Sequence, residues 1–230
     1  MIKLSDYVIQ CIADQGVKHI FMVPGGGAMH LNDSLGRCKA IQFVCNLHEQ
    51  ASAIAAEAYA RVTNNLGVAI VTSGPGGTNA ITGVAGAWLD STPCIFISGQ
   101  VKRDDLSTGR GLRQLGVQEI EIVSLVSPIT KYAVTIMEPG SIRYHLEKAL
   151  HLARSGRPGP AWIDIPLDVQ ANMIEPGQLE GFTLPQENAR KSDLQNQVKQ
   201  ALALLKQSER PVILVGNGVR LAGAEKQFLQ

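Results

Sequence analysis

The chain has 230 residues, 45% of them hydrophobic, so it can bury one core of about 150 to 200 residues and part of a second. Its 21 lysine and arginine residues nearly balance its 20 aspartate and glutamate residues, and no basic stripe accompanies them, which argues against a nucleic-acid partner. No run approaches the ~20 apolar residues that span a bilayer, and the N-terminus lacks the apolar core of a signal peptide. We therefore expect a cytoplasmic protein with small-molecule partners and no membrane partner.

Short apolar runs alternate with amphipathic or small-residue stretches over residues 1–166. A first helix is predicted over 7–15, with Ser5 as its cap and Gly16 at its end, and a later helix over 141–153. Repetition of strand and helix predicts an α/β fold: a doubly wound parallel sheet with helices on both faces. The predicted strands are 19–23, 41–45, 68–72, 94–98, 132–136 and 161–165.

Proline and glycine then punctuate a polar stretch, which predicts a linker over 167–191. A helix is predicted over 192–206 and a strand over 211–215, which together suggest the start of a second α/β domain over 192–230. Because that domain has begun and not finished, we expect these 230 residues to be part of a longer polypeptide.

The four cysteines form no Cys-x-x-Cys pair, and we interpret all of them as reduced and structural. Cys45 and His48 have a spacing seen in metal ligands, but without a second pair a zinc site is not expected. The sequence therefore predicts no metal ligands. The cysteines are Cys11, Cys38, Cys45 and Cys94.

Glycine-rich turns follow three of the predicted strands, at 24–27, 73–79 and 99–100. The carboxyl edge of a parallel sheet is where ligands bind, and glycine there lets the backbone approach a ligand closely. Glu49 follows the second strand and lies at the same edge. Taken alone, an acidic residue at a helix start is more often a simple partner of the helix dipole than a working acid or base.

The usual phosphate-binding motifs are incomplete in this chain. No Gly-Lys-Ser/Thr completes a P-loop, and the turn at 216–221 begins like a dinucleotide fingerprint but lacks its third glycine. The glycine edge is thus better suited to a flat, largely uncharged group, with one carboxylate directed at it.

Several longer motifs occur in a fixed order along the chain. They are His48-Glu49-Gln50-Ala51, Ala58-Tyr59-Ala60-Arg61, Thr72-Ser73-Gly74-Pro75-Gly76, Asn79, Leu89-Asp90-Ser91-Thr92-Pro93, Gly99-Gln100, Arg157-Pro158-Gly159-Pro160 and Arg210-Pro211-Val212. In order and spacing they resemble the pyrimidine-binding domain of thiamine-diphosphate enzymes, in the acetolactate synthase-like branch. The resemblance covers nearly the whole chain.

This resemblance implies a role for each matched residue. Glu49 would hydrogen-bond a ring nitrogen of the cofactor's aminopyrimidine, share a proton with it and so activate the cofactor, making it the catalytic residue. Gln118 matches a glutamine near the substrate, although a solvated loop residue is the plain alternative. The implied cofactor-binding residues are Pro24, Gly25, Gly26, Thr72, Pro75, Gly76 and Asn79.

The resemblance also implies partners for the intact protein. Thiamine diphosphate would be held jointly with a later domain that binds the diphosphate and Mg²⁺ through a Gly-Asp-Gly motif, which these residues lack. FAD is possible against the central domain. A homodimer or homotetramer is expected, and pyruvate is the expected 2-keto acid substrate.

The sequence departs from the family at two places near the expected acceptor pocket. It has Val117 where an aromatic residue commonly precedes the glutamine, and Val23 where tyrosine commonly precedes Pro24. A longer, charged loop over 100–118 would suit a phosphate-bearing acceptor such as a nucleotide-activated keto sugar, although charged loops are usually just solvated. Two further hypotheses stay open: a noncatalytic binding or scaffolding chain, and a nicotinamide-dependent dehydrogenase.

Overall fold

The six predicted strands form one parallel sheet in the computed structural model, which describes residues 1–184 and 191–230. Their spatial order is β3-β2-β4-β5-β7-β6, and every neighbouring pair is parallel. A separate pair, β1 and β8, is antiparallel. The strands are β1 Ile2–Lys3, β2 His19–Met22, β3 Gln42–Cys45, β4 Gly67–Val71, β5 Cys94–Gln100, β6 Tyr132–Thr135, β7 Pro160–Pro166 and β8 Met173–Ile174. The predicted parallel sheet is confirmed.

Helices cover both faces of this sheet, as predicted. One buried cluster joins the sheet to the first, second, seventh and eighth helices, and a second joins the opposite face to the third, fifth and sixth. The helices are α1 Leu4–Asp14, α2 Met29–Arg37, α3 Glu49–Thr63, α4 Pro75–Asn79, α5 Ile81–Leu89, α6 Ile122–Val126, α7 Ile142–Arg154 and α8 Leu167–Ala171.

The central strands are apolar on both faces because each face packs under helices. In β5, Ile95 and Ile97 belong to the first cluster, whereas Phe96 belongs to the second. Phe96 stacks on Trp162 of β7, with the ring centroids 5.7 Å apart. This burial on both faces explains why the strands are continuous apolar runs in the sequence.

The predicted cap of the first helix is wrong. α1 begins at Leu4, and Ser5 lies buried inside it, where its hydroxyl accepts a hydrogen bond from Ser34 Oγ at 2.8 Å. The amide of Leu4 donates to the carbonyl of Asn172 at 2.8 Å, so chain beyond α8 satisfies this helix end. Gly16, with φ of +77°, follows the helix as predicted.

Contacts divide the described chain into two compact units, Met1–Thr183 and Leu184–Gln230. The first unit therefore extends past residue 166 into the predicted linker, which contains α8 and β8. Val169 and Ile174 of this stretch are buried in the core. Two apolar residues at this spacing form no clear periodic pattern, so the sequence did not predict a helix or strand here. Residues 185–190 of the predicted linker lie outside the described residues, and the functional domain limits stay predictions.

The second unit contains α9 Lys191–Gln207, α10 Gly218–Leu221 and α11 Glu225–Phe228. α9 confirms the predicted helix over 192–206. The predicted strand over 211–215 is wrong: a strand needs a neighbour for its backbone groups, and none of the described residues pairs with this segment. In none of the described helices is there an apolar stretch long enough to cross a membrane.

Candidate functional site

The candidate site lies where the connections of the sheet reverse direction. β2 and β4 are neighbours, yet the chain leaves β2 toward the edge strand β3 and leaves β4 toward β5 on the other side. Such a reversal opens a crevice at the carboxyl ends of the two strands. The turns that follow them, residues 24–28 and 72–77, are called here the glycine turns.

Thr72 is the point at which the glycine turns meet. Its hydroxyl accepts a hydrogen bond from the amide of Gly27 at 3.0 Å. A Cβ added to Gly25 would lie 2.5 Å from Thr72 Cβ, and one added to Gly76 would lie 2.6 Å from Thr72 Cγ2. Both distances are far below van der Waals contact, so glycine is required at both positions by space alone.

Glu49 is the first residue of α3, as the sequence predicted. His48 caps the helix by accepting the amide hydrogen of Gln50 on Nδ1 at 3.2 Å. Asn79 donates its side-chain amide to Glu49 Oε2 at 3.0 Å. Among the described residues no donor reaches Oε1, and this oxygen lies 3.5 Å from the position that a Cβ on Gly76 would take. One carboxylate oxygen is thus held, and the other is available beside the glycine turns.

Gln118 reaches the site through its backbone. Gly74 has φ of +60°, and a Cβ there would clash with the carbonyl oxygen of Gln118. Residues 101–121, called here the Gln118 loop, therefore lie directly on the second glycine turn. Gln118 itself has φ of +57° and an exposed side chain.

The structure thus brings five of the predicted site residues together and leaves three on the rim. Glu49, Gly25, Thr72, Gly76 and Asn79 form one connected group. The exposed residues on the rim of the glycine turns are Pro24, Gly26 and Pro75.

A family comparison matches this part of the chain. Residues 2–125, more than half of the sequence, match the family "Thiamine pyrophosphate enzyme, N-terminal TPP binding domain". The chain belongs to this family. Thiamine pyrophosphate, or TPP, is the thiamine diphosphate of the sequence analysis, and the match includes both glycine turns, Glu49 and Gln118.

Relatives named as acetolactate synthases align with nearly the whole chain. Acetolactate synthase 2, chloroplastic, of Nicotiana tabacum is 38% identical over 99% of this chain and 34% of the relative. The acetolactate synthase large subunit of Lactococcus lactis is 38% identical over 97% of this chain and 38% of the relative. The isozyme 3 large subunit of Escherichia coli is 36% identical over 99% of this chain and 39% of the relative. The chain therefore spans between a third and two fifths of the length of these relatives.

The site of this TPP-binding domain has the right chemistry for an aminopyrimidine ring. A flat heterocycle needs contact surfaces without side chains, and Gly26 leaves one on the first glycine turn, where an added Cβ would meet nothing within 4 Å. A pyrimidine ring nitrogen accepts a hydrogen bond, and Glu49 Oε1, which has no partner among the described residues, would donate one when it carries a proton. The residues present therefore fit the group that the family implies.

Two residues that hold the first glycine turn were missed by the sequence analysis. Asn32 donates its side-chain amide to the carbonyl of Gly25 at 3.2 Å, and Gln170 donates to the carbonyl of Gly27 at 2.7 Å. Gln170 is fully buried and lies 143 residues from Gly27. The burial of Gln170 marks it as a structural contact, and burial cannot be known from the sequence. Sequence analysis alone therefore did not identify this residue.

A buried carboxylate lies in β7 of the same domain. Burial raises the pKa of Asp164 to about 6, while hydrogen bonds from Ser98, Gln100 and Thr135 act in the opposite direction. The sequence analysis did not single out Asp164, because an aspartate between isoleucines gives no sign of the partners that surround it.

The remaining polar candidates contribute no further site. All four cysteines are free thiols, and burial raises the pKa of Cys11 to about 11 and also raises that of Cys94. No group of three or more His, Cys, Asp or Glu side chains in the described chain could hold a metal ion. The turn at 216–221 does not follow a strand within the described residues, so it lacks the setting that a dinucleotide fingerprint requires.

Proposed function

We propose that this chain is the pyrimidine-binding part of a thiamine-diphosphate-dependent enzyme that decarboxylates pyruvate and joins the two-carbon unit to a carbonyl acceptor. The observation that carries the proposal is the state of Glu49: Asn79 holds one carboxylate oxygen, and the other is available beside Gly76. The family match and the names of the relatives support the same reaction class.

Each site residue has a defined task in this proposal. Thiamine diphosphate, when bound, supplies the carbon nucleophile and the electron sink for decarboxylation of the 2-keto acid. Glu49 would hold a proton at its Oε1 and share it with a ring nitrogen of the bound cofactor, while Asn79 keeps the carboxylate oriented. Gly25, Thr72 and Gly76 pack against one another and would hold the two glycine turns beside the ring. Pro24, Gly26, Pro75 and Gln118 are placed at the rim, where the substrate would approach.

The diphosphate and Mg²⁺ are assigned, as in the resemblance, to a part of the protein other than these 230 residues. FAD is an optional partner of the central domain, whose start is predicted over 192–230. The cytoplasmic location stays a prediction. All three concern the whole protein rather than the pyrimidine-binding domain.

An exposed face of α3 supports a homodimer or homotetramer. One face of this helix is exposed, with Ile54 at 44% and Val62 at 82% of full exposure. Ala51 and Ala58 lie on the same face and are also exposed. A second copy of the protein would cover them. Analytical ultracentrifugation of the full-length enzyme should show a dimer or tetramer, and a monomer with full activity would contradict this part of the proposal.

Two arginines of the Gln118 loop would suit an acceptor with a negatively charged group. Between residues 106 and 118 the charged side chains are Arg110 and Arg113, both exposed and without an ion pair to any described residue. A nucleotide-activated keto sugar is therefore the alternative acceptor to a second keto acid. Replacing both arginines by glutamine should raise the KM of an anionic acceptor and leave the KM of pyruvate unchanged; equal KM values for the acceptor would argue against this assignment.

Full-length protein tests the central assignment. With thiamine diphosphate, Mg²⁺ and pyruvate, Glu49→Gln should release CO₂ about 10²- to 10⁴-fold more slowly than wild type, the range for loss of a general acid–base group. Glu138→Gln makes the same chemical change on an exposed side chain and should behave as wild type. Equal release by Glu49→Gln and wild type would refute the role of Glu49. Cofactor binding without any CO₂ release by wild type would favour a noncatalytic binding chain instead.

A further inference from the structure

Asp164 lies at the carboxyl end of β7, outside the residues that match the family. It is 1% exposed, and its carboxylate accepts three hydrogen bonds. Ser98 Oγ donates to Oδ1 at 2.6 Å, whereas Thr135 Oγ1 and Gln100 Nε2 donate to Oδ2 at 3.1 and 3.2 Å. The donors come from β5 and β6, the two strands that flank β7.

Gln100 is the only one of these three donors that also contacts the Gln118 loop. It is 2% exposed, and its Nε2 donates both to Asp164 and to the carbonyl of Ile120 at 3.0 Å. Its Oε1 accepts the amide hydrogen of Val101 at 3.0 Å. Val101 begins the loop and Ile120 lies at its end, so one side chain joins the two ends.

Asp164 acts together with Ile120 and Val101 to fix which way the Gln100 amide points. An ionised carboxylate only accepts hydrogen bonds, so it requires the NH₂ group of the glutamine to face it. With the amide turned over, the glutamine oxygen would face both the Asp164 carboxylate and the Ile120 carbonyl, and the Val101 amide would lose its acceptor. Asp164, Ile120 and Val101 would then each lose a hydrogen bond to Gln100, at a cost in free energy.

The joined ends fix the place of Gln118. Gln118 lies two residues before Ile120, and its carbonyl rests on Gly74 of the second glycine turn. Loosening the bond between Gln100 and Ile120 would free this end of the loop while the glycine turns, which are held by Thr72, stay in place.

We propose that Asp164 is a positioning residue: it orients Gln100, which joins the two ends of the Gln118 loop and so places Gln118 on the glycine turn. The coupling between Asp164 and the Gln118 loop rests on the hydrogen bonds described above. Its consequence for substrate binding rests on the proposed function, in which Gln118 approaches the substrate.

Hydrogen exchange followed by mass spectrometry tests the coupling in the full-length protein without cofactor. In Gln100→Met and Asp164→Leu, peptides within 106–121 should exchange about tenfold faster, the factor expected for loss of one hydrogen bond. Thr135→Val removes a donor to the same carboxylate but does not touch the loop, so it should leave this exchange unchanged. Asp164→Asn keeps an oxygen that can face Gln100 and should also leave it unchanged.

Two results would overturn the coupling: wild-type exchange in Gln100→Met, or acceleration in Thr135→Val as large as in Gln100→Met. Gln100→Met tests the coupling even if Asp164→Leu fails to fold. Steady-state kinetics then test the consequence, with a raised substrate KM expected for Gln100→Met and an unchanged Kd for thiamine diphosphate. If exchange accelerates as expected but the wild-type enzyme releases no CO₂ from pyruvate, the coupling is supported and the proposed function is contradicted.

Discussion

The glycine turns and the Gln118 loop form two sides of one site but are held in different ways. Gly25 and Gly76 pack directly against Thr72, with no room for a carbon atom. The Gln118 loop is held instead by polar contacts, through Gln100 at its ends and Glu119 within it. An added carbon atom in such packing destabilises the fold, whereas hydrogen bonds can be altered one at a time. Under the proposed function, the side that faces the acceptor could therefore change while the side that binds the cofactor is kept.

Gly74→Ala should give the largest effect, because the two sides meet at this residue. The substitution combines a positive φ with a clash against the backbone of Gln118, and it should lower the free energy of unfolding by about 3 kcal/mol or more. Gly26→Ala is the matched control, since a Cβ there meets nothing within 4 Å. Chemical denaturation measures both. Equal stabilities would show that the loop does not rest on the turn.

The pH dependence of stability should separate Asp164 from ordinary surface carboxylates. Burial raises its pKa from 3.8 to about 6, so the folded state binds the extra proton between these values. The contribution of Asp164 to stability is therefore greatest below pH 4 and falls as the pH rises to about 6, by a total on the order of 3 kcal/mol.

Asp164→Asn removes this titration and keeps the size of the side chain. The free energy of unfolding of wild type, relative to that of Asp164→Asn, should fall between pH 4 and pH 6 and stay constant above pH 6. A difference that does not vary with pH would mean that Asp164 titrates normally. Denaturant titrations at several pH values give this curve.

Gly25→Ala tests the packed side alone. The added carbon would press on Thr72, and overpacking of this kind costs about 1 to 3 kcal/mol. The exchange of peptides within 106–121 should stay at the wild-type rate, because the Gln118 loop is held by other contacts. Faster exchange in that loop would show that the two sides are not independent.

Glu119→Gln tests the polar side and should have the smallest effect. Desolvation acts to raise the pKa of Glu119, but hydrogen bonds from Ser107, Leu115 and Gly116 outweigh it and hold the pKa below its usual value. This contribution is thus present above pH 4.5 and is lost as the pH falls. An amide keeps only one accepting oxygen, so we expect a loss of about 1 kcal/mol near neutral pH. Limited proteolysis should cleave the variant faster within 107–116; unchanged cleavage would count against this role.

The strands and the start of α3 could be predicted from the sequence because they depend on local pattern. Runs such as 94–98 are apolar at every position, and Glu49 follows a buried strand at once. The same local reasoning failed at Ser5, where the carbonyl of a distant residue, Asn172, satisfies the helix end. It also failed at 211–215, where an apolar run finds no strand to pair with among the described residues.

The contacts that organise the site join residues far apart in the chain. Asp164 and Gln100 are 64 residues apart, and Gly27 and Thr72 are 45 apart. Their meeting depends on the order of strands in the sheet, which the sequence pattern does not specify. The motif resemblance selected Glu49, Thr72 and Asn79 but could not show that Asn79 holds one oxygen of Glu49 and leaves the other available.

A crystal structure of the full-length protein with thiamine diphosphate tests the central claim most directly. We expect a pyrimidine ring nitrogen about 2.6 to 3.2 Å from Glu49 Oε1, with the ring against the glycine turns and the Asn79 bond to Oε2 retained. A bound cofactor whose ring lies beyond hydrogen-bond distance of Glu49, or away from the glycine turns, would contradict it.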